Sequence, residues 1–448
     1  MFKYLFLILV VSFFMACSSE KKEPKPPKEP LEQLEEVNVS IYDLEHIPQD
    51  ISVFADKIDD NVSLYSIQNK YEDYYFRAWN FKKPDETLED IKWPFRSYKV
   101  GSSYGENLQL LDEDFFKKMY ENANFENYLS VNKKAITTKH LNIRAFPTSR
   151  PLLRDPSLAG EGFPFDYLQN STIDSSKPVF ISHFSKDKEW VYIFSSFTSG
   201  WVKSDDIAFM DDKYTKEWQK AKQIFLIKEN MPIYSVDGNF LFNSKIGMML
   251  PLVKEQKDYY RVLVISKYKN SQPLYVEANL SKDISHEGVL KLSGENLNHI
   301  IKEVSVSKYG WGGMFNQRDC SSTLRDIFAP FGVWLPRNSS QQAKVGEVIS
   351  LDGLDDDEKE QMIKQKAIPF QTLLYKRGHI MLYVGVYDNK PIVLHNVWGI
   401  KTKKDGVYGR IIIGKTILSS LELGKYQKDY DENSSILRKL KSMNILTK

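Results

Sequence analysis

Apolar and polar positions change rhythm several times along the chain. Residues 4–16 form a nearly unbroken apolar run behind Lys3, too short to span a bilayer and of the length of an export signal. From about Leu31 to Ala135 the pattern is mainly helical. It is clearest over residues 112–122, where Phe115, Phe116 and Met119 recur at helical spacing before an Asn-rich stop. Residues 136–210, and again 223 to about 284, show short β runs broken by Gly, Pro, Asn and Asp, a texture that predicts small barrels rather than a layered α/β unit. In the last third, Leu324, Ile327 and Phe328 follow Cys320 at helical spacing, with Pro330 and Gly332 as the stop. Two apolar β runs, 380–386 and 392–397, flank the turn residues Asp388-Asn389 and predict a hairpin.

Composition narrows the reading. A chain of 448 residues with 42% hydrophobic and 27% charged content can bury several cores. The formal net charge of +2 lacks the basic excess of sequence-independent nucleic-acid binding. Residues 20–30 (EKKEPKPPKEP) have nothing to bury; they predict a solvated tether that spans roughly 30 Å at ~3 Å per residue.

The two cysteines are Cys17 and Cys320. The junction Phe14-Met15-Ala16-Cys17 resembles the lipobox of bacterial lipoproteins, with Phe14 where Leu is usual, and that resemblance implies a lipidated Cys17 at the mature N-terminus. Cys320 then has no intramolecular partner. A buried, inert cysteine is the bland explanation, and its surroundings argue for a reactive one. Asp319 is a natural N-cap for the helix that Cys320 opens, and the unpaired N–H groups there favour a thiolate. Asp319 itself opposes a second anion, so a cationic partner is needed. His379 and His395 flank the predicted hairpin; a loop of odd length centred on Tyr387 sets them directly opposite one another, whereas a two-residue loop breaks the alignment. One imidazole can then orient the other while the second takes the thiol proton. A Cys/His/His zinc site is a rival, but no C-x-x-C or H-E-x-x-H spacing occurs. A second rival is Gly101-Ser102-Ser103-Tyr104-Gly105, which fits the G-x-S-x-G elbow of serine hydrolases between a strand at 96–100 and the following helix, and would make Ser103 the nucleophile.

Several motifs together carry a family resemblance: Leu141-Asn142-Ile143-Arg144 and Gly200-Trp201-Val202; the segment 160–169 (GEGFPFDYLQ); Ile246-Gly247-Met248-Met249-Leu250-Pro251-Leu252; Tyr309-Gly310-Trp311-Gly312-Gly313; Asp319-Cys320-Ser321-Ser322; and Leu335-Pro336-Arg337-Asn338-Ser339. In order and spacing they resemble the multidomain NlpC/P60 cysteine peptidases. The resemblance implies an α+β multidomain chain in which a papain-like catalytic domain follows a mainly helical stabilising region and two SH3-like β-barrels. The expected boundaries are 1–16 for the signal peptide, 17–33 for the lipidated Cys17 and tether, 34–135 for the stabilising region, 136–212 and 220–286 for the barrels, and 293–448 for the catalytic domain. It places Cys320, His379 and His395 on catalytic positions, and Tyr309, Trp311, Asp319, Ser321 and Ser339 on positions lining the substrate cleft, with Glu161 as a second carboxylate for the substrate amine. It implies cleavage of the γ-D-glutamyl to diamino-acid bond of peptidoglycan stem peptides without a cofactor or metal, with preference for a free N-terminal L-Ala. The expected setting is a monomer held by lipid at the periplasmic face of a bacterial membrane, the outer one because Ser18 rather than Asp follows Cys17. A non-catalytic peptidoglycan-binding lipoprotein is the alternative from another class.

Overall fold

The computed structural model describes residues 40–56, 58, 70–267 and 273–447. The signal peptide, Cys17 and the tether lie outside the described residues.

Among the described residues the N-terminal region is built of short helices, the longest being α1 (Glu113–Asn122). Asp112 caps it by accepting the Phe115 N–H at 2.8 Å, and Phe115 is buried, as the helical spacing predicts. Residues 96–100 do not form the expected strand. A short helix occupies Trp93–Ser97, with Pro94 in its first turn where the missing N–H costs nothing. Ser103 is buried in a loop, where its hydroxyl donates to the Lys99 carbonyl at 3.0 Å. The strand–turn–helix that a nucleophile elbow needs is absent at this position, which removes the serine-hydrolase alternative.

The first barrel contains β1 (Lys133–Thr137), β2 (Leu141–Arg144), β3 (Gln169–Ile173), β4 (Pro178–Phe184), β5 (Trp190–Phe194), β6 (Ser199–Lys203) and β7 (Ile207–Phe209), paired in the order β3-β2-β6-β5-β4-β1-β7. Alternate residues such as Ile143, Ile181, Ile193 and Val202 fill its interior. Helix α2 (Asp212–Lys220) leads to the second β unit: β8 (Gln223–Leu226), β9 (Pro232–Tyr234), β10 (Phe240–Asn243), β11 (Met249–Glu255), β12 (Tyr259–Lys267), β13 (Pro273–Ser281) and β14 (Ser285–Glu287). Five of these strands pair in the order β13-β12-β11-β8-β14, and β9 pairs with β10.

The last domain opens with α3 (Gly294–Ser305) and α4 (Cys320–Phe328). Its sheet contains β15 (Glu347–Ser350), β16 (Thr372–Lys376), β17 (His379–Tyr387), β18 (Lys390–Lys404), β19 (Val407–Ser420) and β20 (Leu440–Ile445), ordered β15-β20-β16-β17-β18-β19, with α5 (Asp356–Lys366) between β15 and β16. Alternation divides β17 between two cores. Ile380, Leu382 and Val384 join Leu297, Ile300, Leu324 and Ile327 of α3 and α4, while Met381 and Tyr383 join Ile363 of α5. Both cores are apolar, so a one-residue slip of this strand would exchange every contact. Among the described residues no helix is long and apolar enough to cross a membrane.

Candidate active site

Cys320 is the first residue of α4, where a helix leaves N–H groups unpaired. Asp319 caps this end: its Oδ1 accepts the Ser322 N–H at 2.9 Å, and Ser322 Oγ accepts the Asp319 N–H at 2.9 Å. The residue before it is locked as well. Arg318 is buried, donating to Glu229 at 2.6 Å, Asp326 at 2.8 Å and Ser307 at 2.7 Å, and its carbonyl accepts from Asn396. The backbone leading into Cys320 is therefore tied to the second β unit and to the sheet at once.

The carboxylate of Asp319 has a partner that the sequence did not disclose. Arg337 grips it with two nitrogens, Nη2 to Oδ2 at 2.5 Å and Nη1 to Oδ1 at 3.2 Å. The same guanidinium donates to Ser321 Oγ at 2.9 Å and to Ser171 Oγ of the first barrel at 2.7 Å. Burial raises the Asp319 carboxyl, and the Arg337 charge and these hydrogen bonds outweigh it, leaving the group below its ordinary value. The signal for Arg337 was the isolated aspartate beside a thiol, which demands a counter-cation, and the arginine lay in a motif already singled out.

His379 and His395 meet, by a route other than the one expected. The β17–β18 turn has two residues, Asp388 and Asn389, both with positive φ, as in the type I′ hairpin. That loop alone would place the histidines on opposite faces. A bulge restores parity, because Val384 is an extra residue between the pairs Tyr383–Val393 and Gly385–Ile392. Beyond it Leu382 pairs with Leu394, so His395 comes opposite Met381 and is diagonal to His379 on the same face. Their rings still touch: His379 Nε2 and His395 Nδ1 are 2.8 Å apart. His395 Nε2 is 3.0 Å from Ser419 Oγ, whose hydroxyl donates to the Ser420 carbonyl at 2.9 Å.

Donation by the Ser419 hydroxyl to the Ser420 carbonyl sets one direction for this chain. Because Ser419 spends its proton on Ser420, it accepts from His395 Nε2–H. Neutral His395 then offers Nδ1 as acceptor to His379 Nε2–H, leaving His379 Nδ1 unprotonated. Both rings are neutral: burial pulls His395 down to about 3, with Lys376 adding, and burial, His395 and Lys376 hold His379 well below the usual histidine value. Zinc would need the lone pair that His395 Nδ1 gives to this contact.

The thiol itself differs from expectation. Burial and the Asp319 charge push Cys320 up to about 12, against the backbone N–H groups of Ile380 and Ser321 and the more distant Arg337 charge, which favour the anion. The thiol and the two imidazoles are thus all shifted toward their neutral forms, where the sequence suggests a thiolate with a cationic partner.

A cavity of about 500 Å³ is lined by Cys320, Asp319, Ser321, Tyr309, Trp311, Arg337 and Ser339, with Trp93, Tyr98, Tyr167, Gln169 and Asn170 across from them. A second, of about 310 Å³, shares Tyr167, Tyr309, Trp311 and Gly378 with the first and adds His379, Trp398, Lys376 and Arg410. The two form one cleft between the sheet and the first barrel. Gly312 (φ +59) and Gly313 (φ +83) let the Trp311 loop lie flush on β3: a Cβ on either would fall 2.4 Å from the Gln169 carbonyl oxygen or 2.5 Å from Thr172 Oγ1. In the barrel, the buried Arg144–Asp166 ion pair fixes the loop that brings Phe165 within 5.3 Å of both Trp311 and Trp398, ring to ring. Glu161 stands apart from the other expected residues. Its carboxylate accepts the Tyr167 hydroxyl at 2.8 Å and faces Arg154 at 3.8 Å, and it lines neither cavity, so no clamp of two carboxylates forms with Asp319.

Comparison with known proteins agrees with this architecture. The model of the NlpC/P60 N-terminal stabilising domain matches residues 6–128, those of SH3b1-type and SH3b2-type SH3 domains match 151–203 and 211–257, and that of the NlpC/P60 family matches 306–417. A γ-D-glutamyl-L-lysine dipeptidyl-peptidase of Bacillus subtilis (strain 168) is 23% identical over 197 residues; the match spans 42% of this chain and 57% of that relative, somewhat over half its length. The solved structure of an NlpC/P60 endopeptidase from Photobacterium damselae subsp. piscicida superposes with a TM-score of 0.79 at 24% identity, covering 90% of this chain and 98% of the other. The chain belongs to the NlpC/P60 family of peptidoglycan hydrolases, in the form that joins a stabilising domain and two SH3 domains to the NlpC/P60 domain.

Proposed function

We propose that this protein is a cysteine endopeptidase that cleaves the γ-D-glutamyl to diaminopimelate bond of peptidoglycan stem peptides. The observation that carries the reading is the chain from Ser420 through Ser419 and His395 to His379, together with a cavity at His379 that shares Tyr167, Tyr309, Trp311 and Gly378 with the cavity at Cys320. In this mechanism His379 Nδ1 takes the thiol proton as sulfur attacks the γ-glutamyl carbonyl, so thiolate forms during attack rather than at rest. The backbone N–H of Cys320, at the start of α4, is the donor this reading offers to the developing oxyanion. The imidazolium then protonates the leaving amine, and water, deprotonated by the same ring, releases the glutamyl acid from the thioester. His395 and Ser419 hold His379 in the required tautomer.

The acyl part of the substrate occupies the cavity at Cys320. Tyr309, Trp311, Ser321 and Ser339 line it beside Asp319, and Trp93, Tyr98 and Asn170 close its far side, leaving a peptide terminus more room than a linked sugar. A free L-Ala ammonium would reach the outer face of the Asp319–Arg337 pair, whereas a muramyl-linked alanine offers a neutral amide. The enzyme would thus act on stems that an amidase has already released. The comparison is kcat/KM on L-Ala-γ-D-Glu-diaminopimelate against its muramyl-linked counterpart; at least a tenfold advantage for the free peptide is expected, and equal rates would remove this preference.

The lipid anchor at Cys17 and residence at the outer membrane are proposals that rest on the Ala16-Cys17 junction and the tether after it. Intact-mass analysis of membrane-extracted protein should find a diacylated or triacylated N-terminal Cys17. An unmodified terminus would end that proposal.

A further inference from the structure

Within the cleft, the part that holds His379 has an electrostatic character of its own. Every charged side chain lining the 310 Å³ cavity is basic: Lys376, Lys401 and Arg410, beside His379. Lys401 is already engaged, 3.6 Å from Asp431 and over the Tyr408 ring. Lys376 and Arg410 are not, since no carboxylate of the described residues lies within 4 Å of either. Lys376 ends β16 and pairs with His379 across the Arg377-Gly378 turn. It is half-buried, and burial lowers its ammonium, offset in part by Cys320, with Arg410 and Lys439 lowering it further. Arg410 reaches the same cavity from β19, where it pairs with Lys401. Its guanidinium lies against the first barrel at Gly160, so close that a Cβ there would be 2.4 Å from Nη2. Glu161 is the carboxylate that acts on Arg410 at longer range, and its own oxygens face Tyr167 and Arg154.

Chemistry decides which end of the substrate meets these cations. The general acid must reach the leaving nitrogen, so the leaving residue lies toward His379, and this cavity contains His379 without Cys320. Two unpaired cations in an aromatic-walled, partly desolvated space call for anions, and a diaminopimelate leaving group adds a second carboxylate to the one carboxylate and one side-chain ammonium that lysine also carries. The geometry points to Lys376 and Arg410 as the subsite that reads the second carboxylate of the leaving diamino acid, selecting diaminopimelate-type stems over lysine-type ones. This rests on the peptidase reading above and adds to it which residues set the leaving-group specificity.

The test measures kcat/KM of the full mature chain on L-Ala-γ-D-Glu-meso-diaminopimelate, on the same peptide with its side-chain carboxyl amidated, and on L-Ala-γ-D-Glu-L-Lys. Wild type should favour the first over each of the others at least tenfold. Lys376→Gln and Arg410→Gln should each cut that ratio to about threefold or less, while Arg410→Lys keeps most of it, and circular dichroism checks that each variant is folded. A wild-type ratio near one, or a ratio unchanged in both glutamine variants, overturns the assignment and leaves the peptidase reading intact. Cleavage of none of the three peptides overturns the peptidase reading and this assignment with it.

Discussion

Replacing His379 by alanine is expected to lower kcat/KM on stem tripeptide by about 10³-fold or more, at the upper part of the range for loss of a positioned general base. The resting state makes the effect large. A thiol pushed up to about 12 by burial and Asp319 supplies almost no thiolate at neutral pH, so sulfur depends on a base to take its proton during attack. The same argument fixes a chemical readout. Labelling of substrate-free wild type by iodoacetamide should show a midpoint above the ordinary thiol value of ~8.5. A midpoint below it would mean that Cys320 rests as thiolate, and would return the mechanism to the preformed ion pair that the sequence suggested. His395→Ala should cost less, about 10²-fold, because its part is to hold the His379 tautomer. Restoration of most activity by His395→Asn, whose amide oxygen can accept from His379 Nε2–H, would support that division.

The second large effect concerns stability. Arg337→Met removes the counter-charge of a buried carboxylate together with bonds to Ser321 and Ser171. Breaking one side of a buried pair costs about 3–5 kcal/mol. For a domain of this size that is a fall of about 10 °C in the transition of the catalytic unit, followed by calorimetry. Asp319→Leu in the same chain should recover part of the loss, since the uncompensated anion is gone. The pH dependence follows from the depressed Asp319 carboxyl. Its stabilisation is fully present above the unfolded carboxylate value of ~3.9 and is lost as pH falls through the lower folded value. Arg337→Met should therefore unfold at higher pH than wild type during acid titration. An unchanged acid limb would show that the pair contributes nothing to stability.

Local pattern carried much of this site. The helical spacing behind Cys320 and the N-capping Asp319 are short-range features, and both stand in the structure as read. So does the meeting of His379 and His395 in a hairpin, although its register was misjudged: the Asp388-Asn389 turn has the residues of a two-residue type I′ loop, and compensation came from a bulge at Val384 that no residue type announces. Residues 96–100 read as a strand, yet with Pro94 opening a helix and Phe95 stacked 4.3 Å from Phe146, Arg96 and Ser97 end that helix and the chain leaves it at Tyr98 without forming a strand. Propensity is a weak prior against tertiary packing. Arg337 and Ser419 escape the sequence because each bonds a partner on another element, and Lys376 and Arg410 because they reach one cavity from separate strands; sequence alone does not place separate elements side by side. Glu161 stands apart from Asp319 because its neighbour Tyr167 and nearby Arg154 take the carboxylate locally.

Digestion of purified sacculi tests the central claim most directly. Wild-type protein and Cys320→Ala would be incubated with sacculi pretreated with an amidase, and the released fragments identified by mass. Wild type is predicted to release L-Ala-γ-D-Glu, with free or crosslinked diaminopimelyl peptides as the other product, while Cys320→Ala, folded and still able to bind the sacculus, releases neither. Equal release by the two proteins, or fragments cut at any other bond, would contradict the account.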